Sequence, residues 1–237
     1  MYKNKTITCV IPSRMSSSRF PNKPLAKILG RELVLRVADS AKKCKYFDRI
    51  IVATEDQIIK DLVESEGYEA WITGKHYTCS HRVSEIASDL ECDYVFNLQG
   101  DEPLSNPKHL DYIIEYGIDN ELDMVQPIRE TLEGDNENPD VVQVIVNNGK
   151  ILYLMRIPEV ITENVYPQLG YYFYKREVID DFKNLDMSFV KYWKGLDTIA
   201  FCGKYDVTPL LLPNCGRQQG VDRPEHIKII EKELSEI

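Results

Sequence analysis

The sequence predicts an α/β fold, a three-layer arrangement with a mostly parallel sheet and helices on both faces. Three observations carry this. Strand-like and helix-like patterns alternate through the first half of the chain. The first apolar run, Ile7 to Ile11, is continuous rather than alternating, as in a strand buried on both faces. Polar segments rich in charged residues follow these runs, and in such sheets ligands sit at the carboxyl ends of the strands.

Taken in order, Pro12 ends the first strand. A polar loop follows, with Arg14, Arg19 and Lys23 among four serines. Pro24 then opens a helical pattern in which Leu25, Ile28 and Leu29 share a face. Next come a helix from about Leu33 to Lys45, a strand from Arg49 to Thr54 with Glu55 and Asp56 behind it, and a helix from Gln57 to Glu66. A third strand spans Tyr68 to Ile72. The polar loop Thr73 to His81 leads to a helix from Arg82 to Leu90, and the strand Tyr94 to Leu98 ends at Gln99-Gly100-Asp101-Glu102-Pro103.

The second half is less regular. Asp123 to Ile128 reads as a strand and Gly134 to Pro139 as a polar linker. Val141 to Val146 and Lys150 to Met155 read as a hairpin around Asn147-Asn148-Gly149. Gly170 to Tyr174 is a tyrosine-rich strand, with helices over Lys175 to Phe182 and Pro224 to Glu236. The expected organisation is a single domain over 1–237, with a small projecting β element at about 129–170 of the kind that makes a homodimer contact.

With 237 residues and 43% hydrophobic content, the chain can bury a sizeable core. A net charge of −9 argues against a nucleic-acid or anionic-membrane partner, and a cationic loop on an acidic body suits a small polyanion better. No apolar run approaches a membrane span and no signal-peptide pattern precedes the first strand. The six cysteines are scattered without a C-x-x-C pair, so reduced thiols and a cytoplasmic location are expected.

Residue chemistry alone leaves several roles open. The loop after the first strand is either a solvated surface or a phosphate cradle of outward amides and cations. Gln99 to Pro103 has ordinary turn residues, yet an aspartate just past a buried strand is well placed for a hard divalent cation. In Gly220 to Ile227, Asp222 fits a helix N-cap, with Glu225 at the capping-box position.

The order of the residues adds more. IPSRMSSSRFPNKPL resembles the signature loop of the 3-deoxy-manno-octulosonate (Kdo) cytidylyltransferases, IPAR-x-x-S-x-R-[LF]-P-x-KPL. Arg14, Ser17, Arg19, Pro21, Lys23, Pro24 and Leu25 stand where the pattern asks. Asn97 with Gln99 to Pro103 matches that family's NxQGDEP, and GVDRPEHI resembles its closing GVDTPEDL. The resemblance covers nearly the whole chain and implies a Rossmann-like nucleotidyltransferase fold. It implies that the signature loop wraps the triphosphate of CTP through Pro12, Ser13, Arg14, Arg19 and Lys23, with Ser80, Arg82 and Gln99 completing the nucleotide site. It also implies that Asp101 and Asp222 hold Mg²⁺. Arg14, Lys23 and Asp101 form the catalytic set. Arg156 matches the arginine of a YFSR segment, with a surface ion pair as its equal alternative.

CTP carries about four negative charges, and one ion pair near a protein surface is worth roughly 1–4 kcal/mol, so three loop cations and Mg²⁺ must act together. An acceptor hydroxyl would attack the α-phosphate and pyrophosphate would leave. No dedicated general base is visible, so lowering the acceptor's pKa falls to the metal.

The resemblance breaks on the acceptor side. Where the family has [ST]-G-T-[DE]-R, this chain has Thr78-Cys79-Ser80-His81-Arg82, and a cysteine in a glycine position predicts a different loop path. Cys79 and His81 lack the companions of a metal pair. The sugar-facing HIG-x-Y reads Gln168-Leu169-Gly170-Tyr171-Tyr172. The E-x-L-E-Q-L-R helix falls on FVKYWKGLDTI, where Tyr192, Trp193 and Lys194 stand. Asn138-Pro139-Asp140-Val141-Val142 resembles NPNVVK, with Gln143 in place of its lysine. Arg156, Gln168 and Tyr172 are the acceptor-side candidates. Kdo is the default acceptor and lipopolysaccharide biosynthesis the implied setting; an amino-Kdo, a nonulosonic acid, a phosphonate or a phosphate are alternatives. A metal-dependent glycosyltransferase and a non-catalytic nucleotide binder are readings of other classes.

Overall fold

The computed structural model describes residues 1–156, 163–186 and 196–236. The expected contacts of Tyr192, Trp193 and Lys194 lie outside the described residues. The first half runs β1 (Ile7–Ser13), β2 (Lys27–Ile28), β3 (Arg31–Glu32), α1 (Leu33–Ala41), β4 (Arg49–Thr54), α2 (Gln57–Ser65), β5 (Glu69–Ile72), α3 (Cys79–Ala87) and β6 (Tyr94–Leu98). Then follow α4 (Pro107–Asp119), β7 (Met124–Ile128), β8 (Val142–Asn147), β9 (Lys150–Arg156), β10 (Val165–Pro167), β11 (Tyr171–Lys175), α5 (Arg176–Asp180), α6 (Thr198–Cys202), β12 (Val207–Leu211) and α7 (His226–Ser235).

Among the described residues the main sheet has the order β12-β7-β11-β6-β1-β4-β5. All its strands are parallel except β11, which runs antiparallel to both β6 and β7. β1 is buried along its whole length, the reason its sequence does not alternate. Its side chains divide between two cores. Ile7, Cys9 and Ile11 meet α1, α2, α4 and α7, while Val10 joins Ile51 and Ala53 against α3 and α5. The expected three-layer α/β architecture is therefore the one observed. A second sheet, β10-β8-β9, is antiparallel throughout. Its hairpin turns at Asn148 (φ 49) and Gly149 (φ 72), the left-handed pair that a two-residue loop requires. No helix among the described residues is long and apolar enough to cross a membrane.

Several expectations need correction. The pattern opened by Pro24 is not a helix. One 3₁₀ turn covers Lys23–Leu25, and β2 and β3 then form a hairpin that turns at Leu29 (φ 46) and Gly30 (φ 79). Two consecutive left-handed residues cannot continue a helix. Ile28 is buried and Leu29 points outward, 53% exposed. α1 stops at Ala41 rather than Lys45. α3 starts three residues early because the Thr78 side chain accepts from the His81 amide as N-cap. Cys79 is thus an ordinary first-turn helical residue, and no glycine backbone is needed there. The sequence reading leaves 104–122 unassigned, yet Asn106 caps α4 by accepting from the Lys108 amide at 3.0 Å, with Pro107 at its first position. α6 and β12 were also unassigned.

Candidate active site

The loops that follow β1 and β6 at their carboxyl ends line a cavity of about 790 Å³. The loop after β1 is tethered by the residues that end β4. Asp56 accepts from the Met15 amide at 2.8 Å, and Glu55 accepts from Ser16 Oγ at 3.3 Å. The loop after β6 crosses the end of β1 at Gly100, where an added Cβ would lie 2.7 Å from the Pro12 carbonyl oxygen. A side chain does not fit there, so the glycine fixes how closely Asp101 approaches the signature loop.

Asp101 and Asp222 meet through the backbone, as the Val221 amide donates to the Asp101 carbonyl at 2.8 Å. Loop cations cover both carboxylates. Lys23 Nζ lies 2.6 Å from Asp101 Oδ2, and Arg19 Nη2 lies 2.5 Å from Asp222 Oδ1. Burial and the neighbouring Asp101 push the Asp222 carboxyl above the usual carboxylate range. Burial works against the Lys23 ammonium, but Asp101 outweighs it and holds its pKa above the ordinary lysine value. Glu102 sits against Gly170 and Gly220, and burial with Asp101 and Asp222 beside it pushes its carboxyl up well above the usual range.

Asp222 does not cap a helix. α7 begins at His226, and the Asp222 amide donates to His226 Nδ1 at 3.2 Å while its carboxylate faces Arg19. Arg14 lines the cavity and donates to the His76 carbonyl at 2.9 Å, with no carboxylate partner among the described residues. Arg156 also lines it, donating to the carbonyls of Pro139 (2.9 Å) and Asp140 (3.1 Å) rather than to a surface acid. The Tyr172 hydroxyl accepts from Gln99 Nε2 at 3.2 Å and from Gln168 Nε2 at 2.8 Å, which joins a nucleotide-side and an acceptor-side candidate in one group.

Four other candidates lie behind the cavity wall. Pro12 and Ser13 are buried at the end of β1. Ser80 is buried, its amide donating to Asp197 Oδ2 at 3.3 Å. Arg82 is buried against Glu55 at 2.9 Å and donates to the Gly74 carbonyl at 3.2 Å, so its charge orders the loop between β5 and α3. Cys79 does face the cavity, and burial pushes its thiol up to about 12, which keeps it protonated. The His81 ring lies edge-on to Phe182 with centroids 4.8 Å apart, so the two do not form a metal pair.

Among the cavity residues that the sequence does not mark as site residues are Glu102, Asp140 and Asp197. The first two stood inside recognised motifs, where each was read only as context. No signal marked Asp197.

The donor set suits a hard cation. Two neighbouring carboxylates are what Mg²⁺ takes from a protein when phosphate oxygens supply other ligands. Among the described residues no group of three or more His, Cys, Asp or Glu side chains could hold a metal by itself, so softer all-protein sites are not offered.

Residues 8–200 match the family of cytidylyltransferases. A 3-deoxy-manno-octulosonate cytidylyltransferase of Nitratidesulfovibrio vulgaris (strain Hildenborough) is 33% identical, covering 97% of each chain. One from Thermodesulfovibrio yellowstonii is 31% identical, covering 96% of this chain and 97% of its own. Among solved structures, a CMP:2-keto-3-deoxy-manno-octonic acid synthetase complexed with CTP superposes with a TM-score of 0.88 at 25% identity, over 98% of this chain and 99% of its own. A 4-diphosphocytidyl-2C-methyl-D-erythritol synthase from Anaerococcus prevotii, at 15% identity and a TM-score of 0.63 over 98% and 99% of the two chains, shares the fold alone.

Proposed function

Because the chain belongs to the cytidylyltransferase family of CTP-dependent nucleotidyltransferases, we propose that it transfers CMP from CTP to the sugar acid Kdo and releases pyrophosphate. The observation that carries this is the pairing of Asp101 with Asp222, from opposite halves of the chain, beneath Lys23 and Arg19. The relatives bear the name of the Kdo enzyme, which supports Kdo as the acceptor.

Arg14 is well placed to take a phosphate, because among the described residues its guanidinium donates to a backbone carbonyl and to no carboxylate. Lys23 and Arg19 would neutralise the β- and γ-phosphates as charge builds on the leaving group. Arg156, held by two carbonyls, would meet the acceptor's carboxylate, with Gln168 and Tyr172 beside it for hydroxyls. The acceptor hydroxyl loses its proton to solvent water as its oxygen attacks the α-phosphorus, the bond to the α,β-bridging oxygen breaks, and pyrophosphate departs carrying that oxygen. Asp101 and Asp222 are the residues that would hold Mg²⁺, which would supply charge neutralisation on the phosphates and a lowered pKa for the attacking hydroxyl.

Pyrophosphate release with CTP, Mg²⁺ and Kdo is the test, run beside amino-Kdo, a nonulosonic acid, a phosphonate and a phosphate. Kdo-dependent release is expected. Asp101→Ala should lower kcat by about 10²–10³, the cost of losing one preorganised electrostatic partner; unchanged turnover would remove the metal role. Release with another acceptor alone would reassign the substrate. CTP binding without pyrophosphate would leave a nucleotide binder, and transfer from a nucleotide sugar a glycosyltransferase. The six free cysteines support a cytoplasmic enzyme of lipopolysaccharide synthesis, working as one domain. Exposed Leu152 on β9 and Leu211 on β12 support a homodimer through that side.

A further inference from the structure

Arg19, Asp140, Asp222 and Arg223 form a chain of alternating charge at the cavity. Arg223 Nε lies 2.9 Å from Asp140 Oδ2, Arg19 Nη1 lies 2.5 Å from Asp140 Oδ1, and Arg19 Nη2 lies on Asp222. Two adjacent members, Asp140 and Arg223, are among the positions where this chain departs from the motifs it resembles. NPNVVK has asparagine at position 140 and GVDTPEDL has threonine at 223, and here an aspartate and an arginine stand there instead. Opposite charges at two distant positions meet in one ion pair, and that pair also takes one arm of a signature-loop arginine.

The arrangement constrains Arg19. Both of its terminal nitrogens are engaged, one on each carboxylate; other N–H donors of the guanidinium remain, but its charge is already matched and its plane is held by the two acids, so a phosphate gains its full attraction only by displacing one of them. Asp222 has another duty in the proposed reaction and Asp140 has none. Asp140 is also the anchored partner. Its amide donates to Asn138 Oδ1 at 2.9 Å and its carbonyl accepts from Arg156 at 3.1 Å, and its side chain is only 10% exposed. The Arg19 side chain is 41% exposed on a loop, so it is the member free to turn.

We propose that Asp140 is a positioning residue that competes with the phosphates of CTP for Arg19, and that Arg223 is the counter-cation that keeps this carboxylate compensated when Arg19 turns to the nucleotide. The pair weakens the grip on triphosphate and, by the same contact, on the pyrophosphate product. This rests on the cavity being the CTP site. A structural tie would have the opposite effect, because removing it would loosen the loop and weaken binding.

Calorimetry decides between them, with CTP and Mg²⁺ but no acceptor, and separately with inorganic tripolyphosphate. Asp140→Asn should tighten both by about two- to fivefold, the scale of one partly exposed ion pair. The gain should be equal for the two ligands, because a guanidinium and not the base is released. The double variant D140N/R223T, which leaves no unpaired arginine, should keep a gain over R223T alone. Affinities unchanged or weakened in both D140N backgrounds at a wild-type melting temperature would overturn the proposal, and so would loss of the fold in both. If the wild-type protein binds tripolyphosphate but not CTP, the functional reading fails while the competition for Arg19 can still be measured.

Discussion

Gly100 shows how little room the site has. Its neighbour is a backbone carbonyl at the end of a central strand, which cannot rotate away as a side chain would. Gly100→Ala should therefore cost about 1–3 kcal/mol, the range for overpacking a tight site, and move Asp101 relative to Lys23. Urea unfolding would measure the first effect and CTP affinity the second. An alanine variant as stable and as tight-binding as the parent would mean that the loop has slack the structure does not show. The buried Arg129–Asp135 pair, at 2.6 Å with both side chains nearly inaccessible, holds the wall behind Glu102 in a similarly unforgiving way.

At the scale of elements, two hairpins turn on the same backbone geometry and differ in how they read. Asn148-Gly149 is legible because asparagine and glycine tolerate positive φ. Leu29-Gly30 is not, because leucine is rare there and its spacing from Leu25 and Ile28 imitates a helix face. A leucine held at φ 46 and mostly in solvent contributes strain and little burial. Leu29→Asn should stabilise the protein by about 0.5–1 kcal/mol, read from the denaturant midpoint; a fall in stability would show that the Leu29 side chain contributes packing that its exposure hides. The largely apolar strands β1, β4 and β6 are legible because burial on both faces leaves few polar positions to confuse the pattern. α4 was readable in principle from Asn106-Pro107 and the spacing of Leu110, Ile113 and Ile114, but the preceding motif drew the reading toward a loop. In the site, Asp101 and Asp222 could be named from motifs. Arg82 was named as a ligand and lies in the wall, because a motif records that an arginine is there and not which way it faces. The ion pair of Asp140 with Arg223 is a long-range contact that neither local segment encodes.

For the whole molecule, histidines make stability depend on pH near neutrality. Burial pulls the pKa of His81 and of His109 below the ordinary histidine value. The unfolded chain therefore binds protons at a higher pH than the folded one. Stability from these rings is fully present above about 6.5, the unfolded value, and is lost as pH falls through it toward the lower folded values. The melting temperature should hold between pH 8 and 7 and decline from there to 5, and the double variant H81Q/H109Q should decline less steeply. Equal slopes in the two proteins would assign the decline to carboxylates instead.

The bond from the Val221 amide to the Asp101 carbonyl has a consequence for biogenesis. A ribosome delivers the turn after β1 and the first aspartate well before the second. Until its last helix emerges, the nascent polypeptide has half of its carboxylate pair, and cellular CTP has no complete pocket with which to stabilise it. Under the role proposed for the two aspartates, nucleotide should stabilise chains that extend past residue 222 and fail to stabilise one truncated before it.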